Sequence, residues 1–306
     1  MLLREAGELV EAKHVVKDYI SKKPDDVRGP QILAQILQQQ KQTEDAILLL
    51  QQALQSFPDN KKLRLQYARL LTTFDRSKGL HQLELLRKTY KKSEEINFLL
   101  ALLYLDDNKY IKAEKLLNPL TASYRYSSEA HYYLGYIHDK NENFSEAIHN
   151  YKKVLGGSNF LAATSRVFNL LIQTSSLANA SNHINMLRSK VPELSKDLFE
   201  LESNILINIK KPYIALEILA RGLDTHPHDV GLLYTRAMLA EQQGDFSLAE
   251  SDLLNIISRD PDNAHALNAL GYLMLLHTDR LDEASQLIKR AYILKPESPA
   301  IIDSMG

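Results

Sequence analysis

Histidine is the side chain in this sequence best suited to bind a metal or transfer a proton near neutral pH. His131, His138 and His149 fall within one short stretch of the chain. On a helix, His131 and His138 would lie two turns apart, whereas two metal ligands on one helix need a spacing of about three or four residues. His226 and His228 also stand close together, but no third ligand is near them in the sequence. We therefore expect these histidines to pack or to face solvent.

Other patterns associated with catalysis or ion binding are incomplete. The stretch 139–150 begins like a calcium loop, but Phe144 replaces the required glycine and Asn150 replaces the closing glutamate. Gly156 and Gly157 lack the lysine that follows the glycines of a phosphate-binding loop. Cysteine is absent, which excludes disulfides and thiolate chemistry. The sequence therefore predicts a protein that is not an enzyme and has no cofactor and no metal.

The composition is typical of a globular protein. The 306 residues are 44% hydrophobic and 25% charged, and the formal net charge is −1 at pH 7. Such a balance gives no general attraction to polyanions, so nucleic acid is not an expected partner. No apolar run approaches the roughly 20 residues that span a bilayer, so we expect no transmembrane segment. Charged residues interrupt the apolar start of residues 1–6, which therefore do not resemble a signal peptide.

Small residues and prolines recur along the chain with a period of about 34 residues. Prolines stand 34 or 35 residues apart in two series, namely Pro24 and Pro58, and Pro192, Pro227, Pro261 and Pro296. Nine small residues keep the same register at intervals of 33 to 35: Ala12, Ala46, Gly79, Ala113, Ala147, Ala180, Ala215, Ala249 and Ala284. Twelve or thirteen residues before six of these stands another small residue, at Ala34, Ala101, Gly135, Ser203, Ala237 and Gly271. The pattern predicts a repeated pair of closely packed helices.

The clearest copy of the repeat lies near the C-terminus. Leu267, Gly271 and Met274 share one face of a predicted first helix, and Ala284 and Ile288 share one face of a second. A proline then ends the unit, because it lacks the amide hydrogen that a helix needs. A helix–turn–helix of this period, with small residues at fixed offsets, resembles the tetratricopeptide repeat (TPR). The resemblance implies an all-α fold, a right-handed superhelical solenoid of antiparallel helix pairs.

Aligned on this unit, residues 1–306 are predicted to form one continuous array. Eight full repeats are expected at 27–60, 61–93, 94–127, 128–160, 161–195, 196–229, 230–263 and 264–298. Residues 1–26 would hold the second helix of a truncated repeat, with Leu2 and Leu3 left from its first helix, and 299–306 would start another. Since the terminal repeats of such arrays carry polar capping faces, we expect this chain to be a fragment of a longer protein.

Two repeats depart from the pattern. The repeat 61–93 is one residue shorter than its neighbours, and in a later repeat Phe168 fills the small position of the first helix. Gly156 and Gly157 precede that later repeat in place of a proline and form the most flexible linker in the sequence. The sequence leaves two interpretations open here: a hinge at 156–160, or a drifted repeat with unchanged geometry.

The resemblance also indicates where a partner would bind. In TPR proteins the first helices line the inner, concave wall, so side chains one face away from the core would line a groove. The predicted groove residues are Gln31, Gln35, Gln38, Arg69, Phe98, Glu129, Tyr132, Tyr136, Asn169, Glu200, Asn204, Tyr234, Met238, Asn268 and Tyr272. Aromatic rings with polar tips bury large areas at low entropic cost, and amides can bond a peptide backbone. Another protein or a peptide segment is therefore the expected partner. The alternative is that the tyrosines only cover seams between repeats.

One TPR subclass holds the acidic C-termini of chaperones with a lysine and asparagine pair on one first helix and basic residues on the next. The matching positions of this sequence hold amide, aromatic and aliphatic residues: Gln31 and Gln35, Phe98 and Leu102, Tyr132 and Tyr136, and Tyr234 and Met238. The basic clamp is missing. The sequence therefore disfavours a chaperone-tail ligand.

The C-terminal segment also resembles a narrower group of TPR proteins. The resemblance rests on Ala266-Leu-Asn-Ala-Leu-Gly-Tyr, on Asp279-Arg-Leu-Asp-Glu-Ala and on Lys295-Pro-Glu-Ser-Pro-Ala. The group consists of large proteins of Gram-negative bacteria, some lipid-anchored at the outer membrane and facing the periplasm. One member is an adaptor that brings cell-wall hydrolases to a carboxyl-terminal processing protease. The resemblance implies a periplasmic, outer-membrane-anchored parent protein, and a cytoplasmic location is the alternative.

The sequence thus favours a non-enzymatic scaffold or adaptor that binds a protein segment in the concave groove. The competing hypothesis is a self-association or regulatory module, with a homo-oligomer as its product, of a larger protein whose activity lies outside this chain. Glycan or lipid binding is a weaker third hypothesis, because tryptophan is absent and charged side chains are few in the predicted groove.

Overall fold

The structure, a computed structural model, describes residues 8–305. Those residues form eighteen α-helices and two short 3-10 helices, with no β-strand among them. The contacts divide the chain into two compact units, unit 1 ending at Val154 and unit 2 beginning at Leu155. The predicted all-α fold class of antiparallel helix pairs is confirmed. The first-helix remnant predicted at Leu2 and Leu3 lies outside the described residues.

Unit 1 is built from successive helices, each packed chiefly against the next helix in the chain. Its nine described α-helices are α1 (Leu9–Lys22), α2 (Arg28–Gln39), α3 (Thr43–Ser56), α4 (Lys61–Phe74), α5 (Arg76–Thr89), α6 (Glu94–Asp106), α7 (Tyr110–Leu117), α8 (Ser127–Lys140) and α9 (Phe144–Tyr151). Even-numbered helices are the first helices of repeats and odd-numbered helices are the second helices. Helix α7 ends two residues before Pro119, and a 3-10 helix, Asn118–Ala122, follows it. The proline explains this early end, because it cannot continue the hydrogen-bond ladder.

Unit 2 follows the same plan. Its nine described α-helices are α10 (Phe160–Thr174), α11 (Leu177–Lys190), α12 (Ser195–Asn208), α13 (Pro212–Thr225), α14 (Val230–Gln242), α15 (Phe246–Arg259), α16 (Ala264–His277), α17 (Leu281–Leu294) and α18 (Pro299–Met305). The second 3-10 helix, Pro192–Leu194, lies between α11 and α12. The largest cluster of buried apolar side chains in unit 2 extends from Phe160 in α10 to Ala284 in α17.

The small residues of the repeat register lie where helices of a pair meet. All nine of them are buried. A Cβ atom on Gly135 would stand 2.7 Å from a ring carbon of Tyr151. A Cβ atom on Gly271 would stand 2.7 Å from the Ile288 side chain and 2.9 Å from the Ala284 carbonyl oxygen. The pattern in the sequence therefore marks the closest approaches between helices, and larger side chains there would push the pairs apart.

The turns inside most repeats share one backbone geometry. Lys41, Asn108, Glu142, Lys210 and Gly244 all have a positive φ, between 55° and 83°. In each turn the amide of the following residue donates to the carbonyl five residues back, at 2.7 to 2.9 Å. This arrangement satisfies the carbonyl groups that the end of a helix would otherwise leave unpaired. Four of these five positions carry a side chain in a conformation that glycine adopts most easily.

The repeat at 61–93 makes its turn with one residue. Asp75 ends α4 and also caps the start of α5, where its Oδ1 accepts a bond from the Lys78 amide at 3.0 Å. That amide bond lowers the pKa of the Asp75 carboxyl, and the Lys78 side chain adds to the effect. The short turn accounts for the missing residue of this repeat. It also brings the helices so close that a Cβ atom on Gly79 would stand 2.4 Å from the Thr72 amide nitrogen.

Phe168 fills the small position of α10 without reaching solvent. Its side chain is fully buried in the core of unit 2. The segment before this helix contains Gly157, whose φ is +80°. The hinge predicted at 156–160 and the repeat boundaries predicted from the sequence stay predictions.

Candidate partner-binding groove

The first helices of successive repeats line a groove in unit 1, which we call the amide groove. It encloses about 550 Å³. Its lining residues come from α2, α4 and the first turn of α6: Gln31, Gln35, Gln38, Lys62, Leu65, Gln66, Arg69, Leu70, Thr73 and Glu95. Four of the predicted groove residues, Gln31, Gln35, Gln38 and Arg69, therefore lie on one surface. Glutamine is the commonest lining residue, and this composition suits hydrogen bonding more than charge pairing.

Helix α2 presents its glutamines because its opposite face is apolar. Leu33, Ala34 and Leu37 are buried in the core of unit 1. Residues that are three or four positions apart share a helix face, so the glutamines at 31, 35 and 38 form a row on the other side. Gln35 and Gln38 are exposed, while Gln31 is partly buried. Each of these side chains carries both a hydrogen-bond donor and an acceptor.

Helix α4 supplies the floor of the groove and ties it to its neighbours. Leu65 and Leu70 are buried, so the floor is apolar. Gln66 donates from Nε2 to the backbone carbonyl of Gln31 in α2, at 2.9 Å. On the other side, Arg69 donates to Oε1 of Glu95 in α6, at 2.8 Å. An exposed ion pair of this kind adds about 1 kcal/mol or less to stability. The pair holds the Arg69 guanidinium beside the Glu95 carboxylate at the edge of the groove.

The predicted aromatic groove residues of unit 1 lie among other rings. Phe98 packs against Tyr126, with 4.8 Å between ring centroids. Tyr132 lies edge-on to Tyr133 at 5.2 Å, and Tyr136 lies edge-on to Tyr110 at 6.5 Å. All three predicted residues are partly buried.

The Phe98–Tyr126 contact joins α6 to the residue before α8, and the Tyr136–Tyr110 contact joins α8 to α7, whereas Tyr132 and Tyr133 are neighbours within α8. Part of each predicted ring stays accessible. The predicted groove role and the alternative of seam packing are therefore compatible for these residues.

In unit 2 the predicted residues lie on α10, α12, α14 and α16. Tyr234 and Met238 are partly buried against the core, and burial raises the pKa of the Tyr234 phenol, with Glu241 adding to the effect. Asn204 is exposed and Asn169 partly buried. Tyr272 is 43% exposed. Their role in binding stays a prediction.

Asn268 has an unusual environment on α16. Its Oδ1 atom is buried and accepts no hydrogen bond from the described residues. An unpaired buried acceptor costs about 1–3 kcal/mol. Asn268 stands 34 residues after Tyr234, at the equivalent position of the next repeat.

Sequence reasoning missed six residues of the amide groove: Lys62, Leu65, Gln66, Leu70, Thr73 and Glu95. The two repeats are offset by 34 residues, and this step takes Gln31 to Leu65 and Gln38 to Thr72. The period would therefore have indicated Leu65 but neither Gln66 nor Thr73. Glu95 could not be found this way, because its place in the groove depends on the Arg69 side chain reaching across to α6.

No group of three or more His, Cys, Asp and Glu side chains that could hold a metal ion occurs between residues 8 and 305. In the same range no helix is both long enough and apolar enough to cross a bilayer.

The antiparallel helix pairs and the groove lined by first helices define the chain as a helical-repeat protein. Residues 98–160 and 234–299 match one family model described as tetratricopeptide repeat, and residues 37–78 match another with the same description. Together these matches cover more than half of the sequence. The chain belongs to the tetratricopeptide repeat family.

A curated relative is the TPR repeat-containing protein PA4667 of Pseudomonas aeruginosa, which is 38% identical over 177 residues. That match covers 58% of this chain and 30% of the relative, so the chain spans less than a third of the length of that protein. Among solved structures, the chain is similar to the C-terminal part of a TPR protein from Cytophaga hutchinsonii, with a TM-score of 0.49 and 18% identity over 79% of this chain and 99% of that one.

It is also similar to a TPR protein from Parabacteroides merdae, with a TM-score of 0.45 and 18% identity over 89% of this chain and 94% of that one. Similarities at these values say nothing about what the chain binds.

Proposed function

We propose that the chain is a non-enzymatic interaction scaffold that binds a segment of another protein in the amide groove. The observation that carries the proposal is the row of glutamines facing an apolar floor across two repeats. Amides pair with the N–H and C=O groups of a peptide in any sequence, and an apolar floor accepts alternate side chains. Solenoid repeats commonly use such continuous surfaces for binding.

Site-specific crosslinking tests this proposal. A photoreactive phenylalanine analogue at Gln38, which is exposed on α2, should capture a discrete partner in cells of the source organism. The matched control carries the analogue at Leu48, which is 56% exposed on α3, the second helix of the same repeat. Mass spectrometry would identify the captured protein. Capture of the same proteins at both positions, or at neither, would sink the assignment.

The aromatic residues provide a second test, which uses the partner that crosslinking identifies. Replacing Tyr132 and Tyr136 of unit 1 together with alanine should weaken its binding if the partner extends beyond the amide groove, and should leave the helical circular dichroism in place. Because both rings also pack against neighbours, thermal unfolding must be measured in parallel. Unchanged affinity in the folded variant would restrict the binding surface to the polar residues.

The finer form of the proposal is delivery of a protein substrate to a carboxyl-terminal processing protease. The support for it is the resemblance of residues 266–306, which cover α16 to α18, to bacterial adaptors of this kind. The test mixes purified protease, a cell-wall hydrolase and the chain. The chain should accelerate degradation of the hydrolase, and a rate independent of the chain would contradict this form while leaving the scaffold proposal intact.

The alternative function is self-association. The observation that favours it is the exposed apolar surface of α17 and α18, where Ile293 is 78%, Ile302 47% and Met305 44% exposed. Light scattering at increasing protein concentration distinguishes the two functions. A dimer that Ile293→Lys and Ile302→Lys disrupt would favour self-association, whereas a concentration-independent monomer would favour the scaffold.

A further inference from the structure

A second surface of unit 1, outside the amide groove, carries positive charge. The last two residues of α5, the segment that joins α5 to α6, and the first residue of α4 surround a cleft of about 490 Å³. We call it the lysine cleft. Its lining residues are Lys61, Lys88, Thr89, Tyr90, Lys91, Lys92 and Ser93. Four of these seven side chains are lysines, and no carboxylate is among them.

The lysines of the cleft keep their charge available. In the part of the chain that the structure describes, none of the four forms an ion pair with a carboxylate. Lys61 lies over the ring of Tyr90, 5.2 Å from its centroid. The two carboxylates that follow the cleft in sequence are engaged elsewhere. Glu94 accepts a bond from the Ser123 hydroxyl at 2.8 Å, and Glu95 pairs with Arg69 at 2.8 Å.

The backbone that presents these lysines is braced. Tyr90 donates from its amide to the Leu86 carbonyl at 2.8 Å, and Ser93 donates to the Tyr90 carbonyl at 2.9 Å. The Asn97 side chain donates to the Lys91 carbonyl at 3.1 Å and accepts from Arg87 at 3.0 Å. The turn is therefore held from both sides, so a ligand would meet lysines that are already gathered around the cleft.

The charge of this connection is unusual among the equivalent connections of the chain. Where a second helix is followed by a proline, the next residue is acidic in five of six cases, at Asp25, Asp59, Glu193, Asp262 and Glu297. The connection at 90–93 has neither the proline nor the acid, and places Lys91 and Lys92 there instead. Helix packing alone does not require this reversal, because both lysines are exposed.

We propose that the lysine cleft binds an acidic segment of a partner protein, one with several neighbouring aspartates or glutamates. Ammonium groups act as point charges with freely turning donors, which suits single carboxylate oxygens. No arginine lines the cleft to grip a phosphate with two parallel bonds, since Arg87 is held by Asn97. The face of Tyr90 is covered by Lys61, so no ring is open for stacking a nucleic acid base. The cleft is concave and lacks an exposed apolar side chain that could enter a lipid surface.

Fluorescence anisotropy with a labelled octaglutamate peptide tests the proposal on the whole chain. The charge-reversal variant Lys91→Glu with Lys92→Glu should lower the affinity about tenfold or more, and Lys91→Gln with Lys92→Gln should lower it less. The matched control is Lys22→Glu with Lys23→Glu, which makes the same charge change at an equivalent connection. Lys22 already pairs with Asp18 at 2.8 Å, so this control should change affinity less than about twofold.

Binding of octaglutamate must weaken with rising salt, because the charges are exposed. Equal weakening in the test and control variants would overturn the proposal, since net charge alone would then explain the binding. So would an absence of octaglutamate binding by the unaltered chain. Phosphatidylglycerol vesicles, oligo-thymidine and inorganic phosphate serve as competing probes. A probe that binds more tightly than octaglutamate, and loses its binding in the Lys91 and Lys92 variants, would overturn the assignment to a protein segment.

Discussion

Unit 1 and unit 2 fill the seams between their repeats with different chemistry. In unit 1 aromatic rings meet, as in the contacts of Phe98 with Tyr126 and Tyr133 at 4.8 and 6.0 Å. In unit 2 a buried ion pair occupies a comparable place. Arg188 of α11 pairs with Glu202 of α12 at 2.7 Å, with 7% and 0% of their side chains exposed.

A second ion pair within unit 2 repeats this solution inside one helix pair. Arg236 of α14 holds Asp252 of α15 with two parallel bonds, at 2.8 and 2.7 Å. The Arg236 pair satisfies both carboxylate oxygens, whereas Arg188 Nε and Glu202 Oε1 are buried without partners among the described residues.

One repeat geometry tolerates both kinds of contact, which differ in how they respond to substitution. The stability that a ring contact contributes falls gradually as a substitution reduces the apolar area it buries. A buried ion pair fails abruptly, because loss of one charge leaves the other without water or a partner. Unit 2 should therefore be the more sensitive of the two to single changes at its seams.

The largest expected effect is at the Arg188–Glu202 pair. Glu202→Ala should lower the free energy of unfolding by about 3–5 kcal/mol, because it strands a buried guanidinium. The guanidinium has its pKa lowered by burial, and Glu202 opposes that change. Urea unfolding measures the loss. The control Asp262→Ala, at an exposed pair with Arg290, should cost about 1 kcal/mol or less.

Replacing both partners sharpens the same comparison. The double variant Arg188→Met with Glu202→Leu should recover most of the stability lost in Glu202→Ala, because apolar side chains of similar volume avoid the desolvation cost. If the double variant is as unstable as the single one, the seam depends on the specific bonds of Arg188, including the one to the Leu198 carbonyl at 3.0 Å.

A double-mutant cycle tests the aromatic seam of unit 1. Phe98→Leu and Tyr126→Leu should each destabilise the chain, and their coupling energy should be about 0.5–1.5 kcal/mol. Unfolding in urea of the two single variants and the double variant gives the coupling. A coupling energy as large as the loss expected for Glu202→Ala, about 3–5 kcal/mol, would contradict the distinction between the two units.

The shared turn geometry should respond equally in both units. Glu142→Gly in unit 1 and Lys210→Gly in unit 2 should each stabilise the chain by about 0.5–1 kcal/mol, because glycine adopts a positive φ without strain. Thermal unfolding measures the gain. Gly244→Ala is the reciprocal control and should destabilise, since its φ is +83°.

The smallest effect expected is a pH dependence at His131 in unit 1. Burial lowers the pKa of this imidazole, with Lys153 and His149 acting in the same direction against the bond to Asn150. The native state therefore binds fewer protons than the unfolded state, whose pKa is about 6.5, and stability falls as pH drops below that value.

His131→Asn should flatten the fall in the unfolding midpoint between neutral pH and about pH 5. The control His81→Asn, at an exposed position on α5, should leave the slope unchanged. The same slope in both variants would mean that other groups cause the acid response.

The fold was predictable because its signal is repeated. Close contacts between helices require small residues, and Ala46, Gly135 and Gly271 stand where the period places them. The amide groove was predictable in part, because Gln35 and Arg69 lie opposite the buried faces of their helices. Gln66 and Glu95 were missed, since their positions follow from bonds between repeats. The Arg188–Glu202 pair was hidden for a different reason. Two charged residues 14 positions apart look like solvent-exposed side chains until the packing of α11 on α12 buries them.

The single-residue turn at Asp75 has a consequence for local opening of unit 1. Where the turn is longer, as around Glu142, the end of one helix and the start of the next can fray separately. At Asp75 one residue terminates α4 and caps α5, so neither end can open without the other. We expect the last amides of α4 and the first amides of α5 to exchange their hydrogens with deuterium together, at one rate, as a single cooperative unit.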